Sequence, residues 1–298
     1  MAQKIPPAFS AMVENFKQVQ QKAFLAEQPK LILIIMASTK DKELAAGCIK
    51  DVKNIRKVFK KIGAHSGLKY CEIEISGDNY YQENLMAVIN NLESMEIDVT
   101  VFYFSGHGFC YADDNSRKFP QLDMRHPSDT TEYNKMSFIR KHTKNLHEML
   151  QLIRLRGGRI NIAIGDCCST VVHRKRSSKS KFNLEVVEDL MSPKEKLLSK
   201  KVVTAEDNYI DIVVSAARPG QAAVTDVKNG SLFTQNFTAA LSAAIDKQPK
   251  GEKYLPFHQL LQKAASLANK AAAAYDIGEG KPGQQMASFE IYMENVKY

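Results

Sequence analysis

The sequence predicts an α/β fold in three layers, a mostly parallel central sheet with helices on both faces, and three features carry that expectation. Strand-like and helix-like stretches alternate with short connections, the pattern of crossover units in a parallel sheet. The stretches Leu31–Met36, Val99–Phe104 and Ile160–Ile164 are nearly continuous in apolar residues, as strands covered on both faces are. Two of them stop abruptly at reactive groups, one at Ser105-Gly106-His107-Gly108 and the other at Gly165-Asp166-Cys167-Cys168. Open α/β sheets keep their sites at the carboxyl ends of their strands, so the chemistry is expected there.

Residues 8–26 carry Phe9, Met12, Val13, Phe16, Val19 and Ala23 at helical spacing between Pro7 and Pro29, and predict a helix packed on the domain behind it. Leu31–Met36 is the first buried strand. After a polar loop, Ala45-Ala-Gly-Cys48-Ile-Lys-Asp51 leads into an amphipathic helix with Val52, Ile55, Val58, Phe59 and Ile62 facing inward and Gly63 as its expected end. Tyr70–Ile75 alternates as a strand does, and Leu85, Val88, Ile89 and Leu92 mark a helix over 83–95. The strand at 98–104 follows. Residues 109–142 are polar and irregular, a loop long enough to be functional. A helix over about 143–155, with Leu146, Met149, Leu150 and Ile153, ends at Gly157-Gly158 and delivers the chain to the strand at 160–164.

Beyond Thr170 the pattern lapses into a basic stretch with a weakly helical patch near 184–198. It resumes with a strand, Ile210–Ala216, helices over about 232–246 and 256–275, and an alternating strand, Met286–Met293. The chain therefore divides into a helical extension (1–29), a first block carrying the reactive strand ends (30–172), a basic linker (173–208) and a second block (209–298), all within one domain.

Composition is that of a globular protein, 44% apolar and 25% charged, with a net charge of +8. Much of the excess sits at 50–61 and 173–201 without the aromatic interleaving of a nucleic-acid surface, so no nucleic-acid partner is expected. The five cysteines (48, 71, 110, 167 and 168) are odd in number, and vicinal cysteines rarely bridge each other, which favours a reducing compartment. The N-terminal residues have no apolar signal core, and the longest apolar run, Leu31–Ala37, is too short to span a bilayer. A soluble, cytoplasmic protein with no membrane partner is expected, and its basic charge favours a monomer.

A thiol nucleophile needs a base to take its proton or a cation to lower its pKa. His107 serves if the two strand ends adjoin. Glycines on both sides of it allow a tight turn and let a substrate backbone approach closely. The amides of Gly108 and of the cysteine itself are candidate oxyanion donors. Spacing leaves open which of Cys167 and Cys168 attacks. A lone Cys-Cys is most often core and a lone His-Gly a turn; their placement together, each ending a buried strand, is what points to catalysis. A metal site from His107, Cys110, Cys167, Cys168 and His173 fits less well, because adjacent cysteines make a poor tetrahedral pair, and no metal is expected.

Four segments, in this order and at these intervals, resemble the caspase-like cysteine peptidases, and the metacaspase-type branch more than the caspases proper. They are Gly47-Cys48-Ile-Lys-Asp51-Val, Tyr103-Phe-Ser105-Gly-His107-Gly108, Gly165-Asp166-Cys167-Cys168-Ser169, and Val214-Ser215-Ala216-Ala217 followed by Gly230-Ser-Leu-Phe-Thr234. The resemblance covers residues 30 to 290 or so and implies a three-layer caspase-like sandwich with cysteine endopeptidase activity. It implies His107 as general base and Cys168 as nucleophile, with Cys167 at the variable position between aspartate and nucleophile. It also implies an S1 pocket lined by Cys48, Asp51, Ser105 and Asp166, and a substrate strand laid against Ser215 and Ala216. Two carboxylates in one small pocket select a P1 arginine or lysine, and Asp166 repels an acidic P1. The branch usually follows its nucleophile with His-Ser-Gly, where this chain has Ser169-Thr170. Its acidic calcium loop is not clearly matched, Asp113, Asp114 and Asp123 being the nearest candidates, so no cofactor is expected, calcium included.

The basic stretch coincides with that family's inter-subunit linker. With a basic S1 preference, Arg174, Lys175, Arg176, Lys179 and Lys181 become candidate self-cleavage sites, as do the lysines at 194–201, because exposed polar chain is where nicking concentrates. The expected function is a self-processing thiol endopeptidase made as a zymogen, acting on proteins or peptides with a basic P1. The competing expectation is a catalytically silent caspase-like scaffold that binds a protein partner through its basic loop or N-terminal helix.

Overall fold

The frame is a row of apolar strands, each too hydrophobic to face water on either side. The computed structural model describes residues 6–112, 118–129, 141–172, 209–226, 228–247, 257–275 and 285–294. The whole 173–208 linker, with its helical patch and candidate cleavage sites, lies outside the described residues, as do Asp113 and Asp114.

The first half of the chain supplies α1 (Pro7–Leu25), β1 (Lys30–Ala37), α2 (Ala45–Ser66), β2 (Lys69–Ser76), α3 (Gln82–Asn90) and β3 (Val99–Gly106). Short strands β4 (Gly108–Tyr111), β5 (Gln121–Asp123) and β6 (Thr143–Asn145) follow, then α4 (Leu146–Arg154), β7 (Ile160–Cys167) and β8 (Thr170–Val172). The last part supplies β9 (Tyr209–Ser215), the hairpin β10 (Thr225–Asp226) and β11 (Gly230–Ser231), α5 (Leu232–Ile245), α6 (Phe257–Ala274) and β12 (Ser288–Glu294). The central sheet has the order β12-β9-β7-β3-β1-β2, and every neighbouring pair in it is parallel except β12 with β9.

Side chains alternate across each strand and so fill two cores. Leu31, Leu33 and Ile35 of β1 join Val52, Ile55 and Phe59 of α2 and Phe233, Phe237 and Leu241 of α5 on one face. Ile32, Ile34 and Met36 join Phe9, Val13 and Phe16 of α1, Leu85 of α3 and Met149 and Leu150 of α4 on the other. The expected three layers are present. Among the described residues no helix is long and apolar enough to cross a membrane.

The structure differs from expectation in local ways with physical causes. α2 passes Gly63 by a turn and closes at Gly67, whose φ of 68° turns the Leu68 N–H back onto the Gly63 carbonyl at 2.9 Å. α3 stops at Asn90. The stretch read as irregular loop contains β4 and β5, which with β6 and β8 make a second sheet in the order β6-β5-β4-β8. Strands of three or four residues are too short for an alternation signal to register. α4 begins at Leu146 because Asn145 caps it, accepting from the His147 N–H at 2.9 Å while Glu148 reaches back to the Asn145 N–H.

At the amino end of the sheet, Lys30 and Asp98 are both fully buried, with Nζ 2.9 Å from Oδ2. Asp98 also accepts the Lys30 and Met95 N–H groups at 2.7 and 2.6 Å, tying β1 to the turn before β3. Replacing Asp98 with alanine strands a buried ammonium and should cost about 3–5 kcal/mol. The effect will be seen as a lower urea midpoint at an unchanged slope.

Candidate active site

The carboxyl ends of β3 and β7 meet at the centre of the sheet. The last pair of their ladder is Gly106 with Cys167. Just beyond, β4 and β8 pair in parallel, with Phe109 opposite Thr170, at the same sequence offset. His107 and Cys168 are held between these two matched pairs and therefore lie opposite each other. Alternation assigns the faces. Tyr103 and Ile164 belong to the core under α2 and α5, whereas Phe104 and Cys167 belong to the opposite core. Asp166 and Cys168 thus continue the face of Ile164, and Ser105 and His107 the face of Tyr103.

The vicinal thiols are separated by this parity. Cys167 is 2% exposed, and burial drives its pKa well above the ordinary thiol value. Cys168 is only half-buried. Its pKa is raised by burial, with the Asp166 charge adding to the shift and the Ala223 N–H opposing it. The resting sulfur is therefore a thiol that needs a base. Its turn is fixed by main chain, since Ser169 donates to the Gln221 carbonyl at 2.8 Å and accepts from the Gly220 N–H at 2.7 Å. This pairing does not use the Ser169 and Thr170 side chains. The flanking glycines have ordinary φ values and make no tight turn; they are needed for close approach. A Cβ on Gly108 would stand 2.5 Å from both Cys167 Sγ and the Cys168 carbonyl oxygen, and one on Gly106 would stand 2.9 Å from the Tyr80 hydroxyl.

His107 is held by two contacts that the sequence did not disclose. Its carbonyl accepts the Asp123 N–H at 3.0 Å. Its Nε2 lies 3.1 Å from Oδ2 of Asp41, in the loop after β1. Asp123, a candidate calcium ligand in sequence, has its carboxylate engaged by the Arg125 N–H at 2.9 Å and the Arg125 guanidinium at 3.1 Å.

Beside the strand ends, Cys48 and Asp51 of α2, Ser105 of β3 and Asp166 of β7 do come together. The Ser105 hydroxyl is 3.1 Å from Asp51 Oδ2 and 3.3 Å from Cys48 Sγ. Ser231 joins the two aspartates, its N–H donating to Asp51 Oδ1 at 2.8 Å and its hydroxyl to Asp166 Oδ1 at 2.7 Å. Thr234 donates to the other Asp166 oxygen and meets the Tyr103 hydroxyl at 2.7 Å. Both carboxylates are buried, and no Lys, Arg or His among the described residues pairs with either. Burial, then the charge of Asp166, pushes Asp51 up to about 8 against the opposing Ser231 and Ser105 hydrogen bonds. Burial likewise raises Asp166. Burial also takes Cys48 up to about 12. Ser231, Thr234 and Tyr103 had no expected part in this cluster, although Gly230-Ser-x-x-Thr at a helix start is a cap signature that placed Ser231 at the head of α5.

Ser215 and Ala216 are fully buried and are not an open edge. Ser215 pairs with Gly165 on one side and Ser288 on the other, and Ala216 donates its N–H to the Gly165 carbonyl. β9 is an inner strand because β12 covers it, so the accessible main chain at this end begins at Arg218.

A parallel sheet between two helical layers, with a thiol and an imidazole at adjoining strand ends, defines a three-layer α/β protein with a candidate thiol-hydrolase site. The family model described as caspase domain, peptidase C14, matches residues 14–291, and the chain belongs to that family of cysteine peptidases. A search of curated proteins returned no match.

The unequal burial of the two thiols sets their reactivity. In native protein treated with iodoacetamide, peptide mapping should find Cys168 alkylated well before Cys167, at a rate that climbs with pH because its thiolate is disfavoured near neutrality.

Proposed function

We propose that the protein is a cysteine endopeptidase of the metacaspase type that cuts after arginine or lysine, with Cys168 as nucleophile and His107 as base. The observation that carries this reading is the juxtaposition of the two: opposed strand-end residues 107 and 168, and beside them two buried aspartates without a cation. The Cys168 thiol passes its proton to His107, and the sulfur attacks the carbonyl carbon of the P1 residue. The N–H groups of Gly108 and Cys168 receive the oxyanion. Collapse breaks the C–N bond, His107 returns the proton to the leaving amine, and a thioester remains. Water, giving a proton to His107, then hydrolyses it and restores the thiol.

In this reading Cys48, Asp51, Ser105 and Asp166 form S1. A P1 guanidinium or ammonium brings the positive charge that the pair of carboxylates lacks, and arginine can meet both through its fork of donors. The same preference makes the basic 173–208 linker a substrate of its own enzyme, at Arg174, Lys175, Arg176, Lys179 or Lys181.

On a fluorogenic panel with P1 varied, the parent should turn over Arg and Lys substrates and spare Asp. Cys168→Ala should lose on the order of 10³-fold or more, and Cys167→Ala should keep most of its activity. Fragments cut after basic residues of 173–208 should accumulate in the parent and not in Cys168→Ala. A parent that hydrolyses no member of the panel and shows no fast thiol would leave the scaffold reading standing instead.

Asp51→Asn separates stability from activity. The raised carboxyl holds a proton in the folded chain that the unfolded chain releases, so its contribution is full below the ordinary value of 3.8 and is lost as pH rises toward about 8. The variant should therefore melt like the parent near pH 4 but above it at about pH 8 to 9. Its kcat/KM for a P1 arginine should fall about 10- to 100-fold.

A further inference from the structure

Asp41 touches His107 but neither the thiol nor the acid pair, and its surroundings define what it does there. Its Oδ1 accepts the N–H groups of Glu43 and Leu44, each at 2.9 Å, and its carbonyl accepts the Ala45 N–H at 3.1 Å, so the residue is locked to the head of α2. Only Oδ2 remains, and it faces Nε2 of His107 at 3.1 Å. The Asp41 side chain is 18% exposed and that of His107 39%, so the contact lies at the rim of the site with its carboxylate side the more buried. Burial pushes its carboxyl up, but the Leu44 and Glu43 amides and His107 outweigh that and hold it below the ordinary value. An ionised carboxylate accepts and cannot donate, so the proton between the two groups belongs to Nε2. A neutral ring with its proton on Nε2 has its free lone pair on Nδ1.

We propose that Asp41 is the positioning residue of this site, holding His107 in the Nε2–H tautomer and leaving Nδ1 to take the Cys168 proton. The proposal rests on the reading of His107 and Cys168 as a dyad. The main chain of His107 is fixed from β5 through the Asp123 N–H, so the ring's remaining freedom is rotation about its own side chain, and the Asp41 contact removes it. When the ring takes the thiol proton, the carboxylate also stabilises the imidazolium.

Asparagine at 41 makes the role testable. Its carbonyl oxygen would stay on the Glu43 and Leu44 amides, turning the amide NH₂ toward Nε2. That donor would force Nε2 to accept, and the ring would carry its proton on Nδ1, where it blocks transfer from sulfur. A purely structural Asp41 gives the opposite order, because asparagine preserves the loop contacts that alanine loses.

The test is steady-state kinetics on a P1 arginine substrate for the parent, Asp41→Ala, Asp41→Asn, His107→Ala and Cys168→Ala, with ¹⁵N-histidine NMR of each folded protein to read the His107 tautomer. Asp41→Ala should lose about 10- to 100-fold in kcat with KM changed by less than about twofold, its ring divided between tautomers. Asp41→Asn should be at least as slow, with the Nδ1–H form dominant. An Asn variant faster than the Ala variant, a parent-like kcat with an unchanged tautomer, or a gain in kcat on removing Asp41 would each overturn the proposal. Full turnover by His107→Ala would overturn the dyad and the positioning role together, whereas a dead His107→Ala beside a parent-like Asp41→Ala would overturn the positioning role alone.

Discussion

One register governs the site: β3 with β7, and then β4 with β8, pair at the same offset on both sides of residues 107 and 168. A slip of one residue would turn every side chain beyond it to the opposite face. Cys168 would then enter the core where Cys167 packs, and Asp166 would leave Ser231 and Thr234. The register is protected by sterics as well as by hydrogen bonds. Gly108 rests on Cys167 and on the Cys168 carbonyl with no room for a Cβ, and Gly165 packs where a Cβ would reach 2.8 Å from Leu146. Both cores depend on the same alternation, so the fold that buries the apolar residues also sets side by side the two strand ends that carry the thiol and the imidazole.

Much of this was legible in the chain. The long apolar strands announced a sheet covered on both faces, and their abrupt ends at His107 and Cys168 marked two strand ends that the sheet brings together. Spacing left Cys167 and Cys168 undivided; what separates them is that the folded chain buries the first and leaves the second half-exposed. What stayed hidden depends on contacts between distant segments. Asp41 lies in a polar loop between two lysines with no periodicity to mark it, and it matters only because α2 brings its start beside the end of β3. Ser231 and Thr234 stood in the sequence only within the Gly230-Ser-Leu-Phe-Thr234 segment, and their bonds to Asp166 exist only because α5 packs on the face of β7 that carries it. Ser215 and Ala216 were expected at an edge because nothing in their own segment says that β12 returns to cover them.

The two buried acidic sites show how differently the fold treats charge. At the amino end of the sheet, Asp98 is matched within the chain by the Lys30 ammonium and by two backbone N–H groups. At the carboxyl end, Asp51 and Asp166 have hydroxyl and amide donors but no cation among the described residues, and both are driven toward the protonated state. Neutral donors soften a buried carboxylate without cancelling its charge, and two such groups close together cannot both ionise cheaply. Burial and mutual repulsion therefore favour the protonated form within the pair.

That arrangement costs stability, and the fold nevertheless frames it closely, with Gly230 packed where a Cβ would stand 2.3 Å from Asp51 Oδ1. Packing alone gives no reason for it, since an apolar pair would fill the same space without the desolvation penalty. A ligand gives one. A cationic side chain entering beside the strand ends would favour the ionised carboxylates and supply the counter-charge that Lys30 gives Asp98. Because Asp166 is two residues before Cys168 on the same face, that cation would be anchored within reach of the thiol. In the proposed reading, the acid pair would thereby couple recognition of a basic side chain to the position of the bond that is cut.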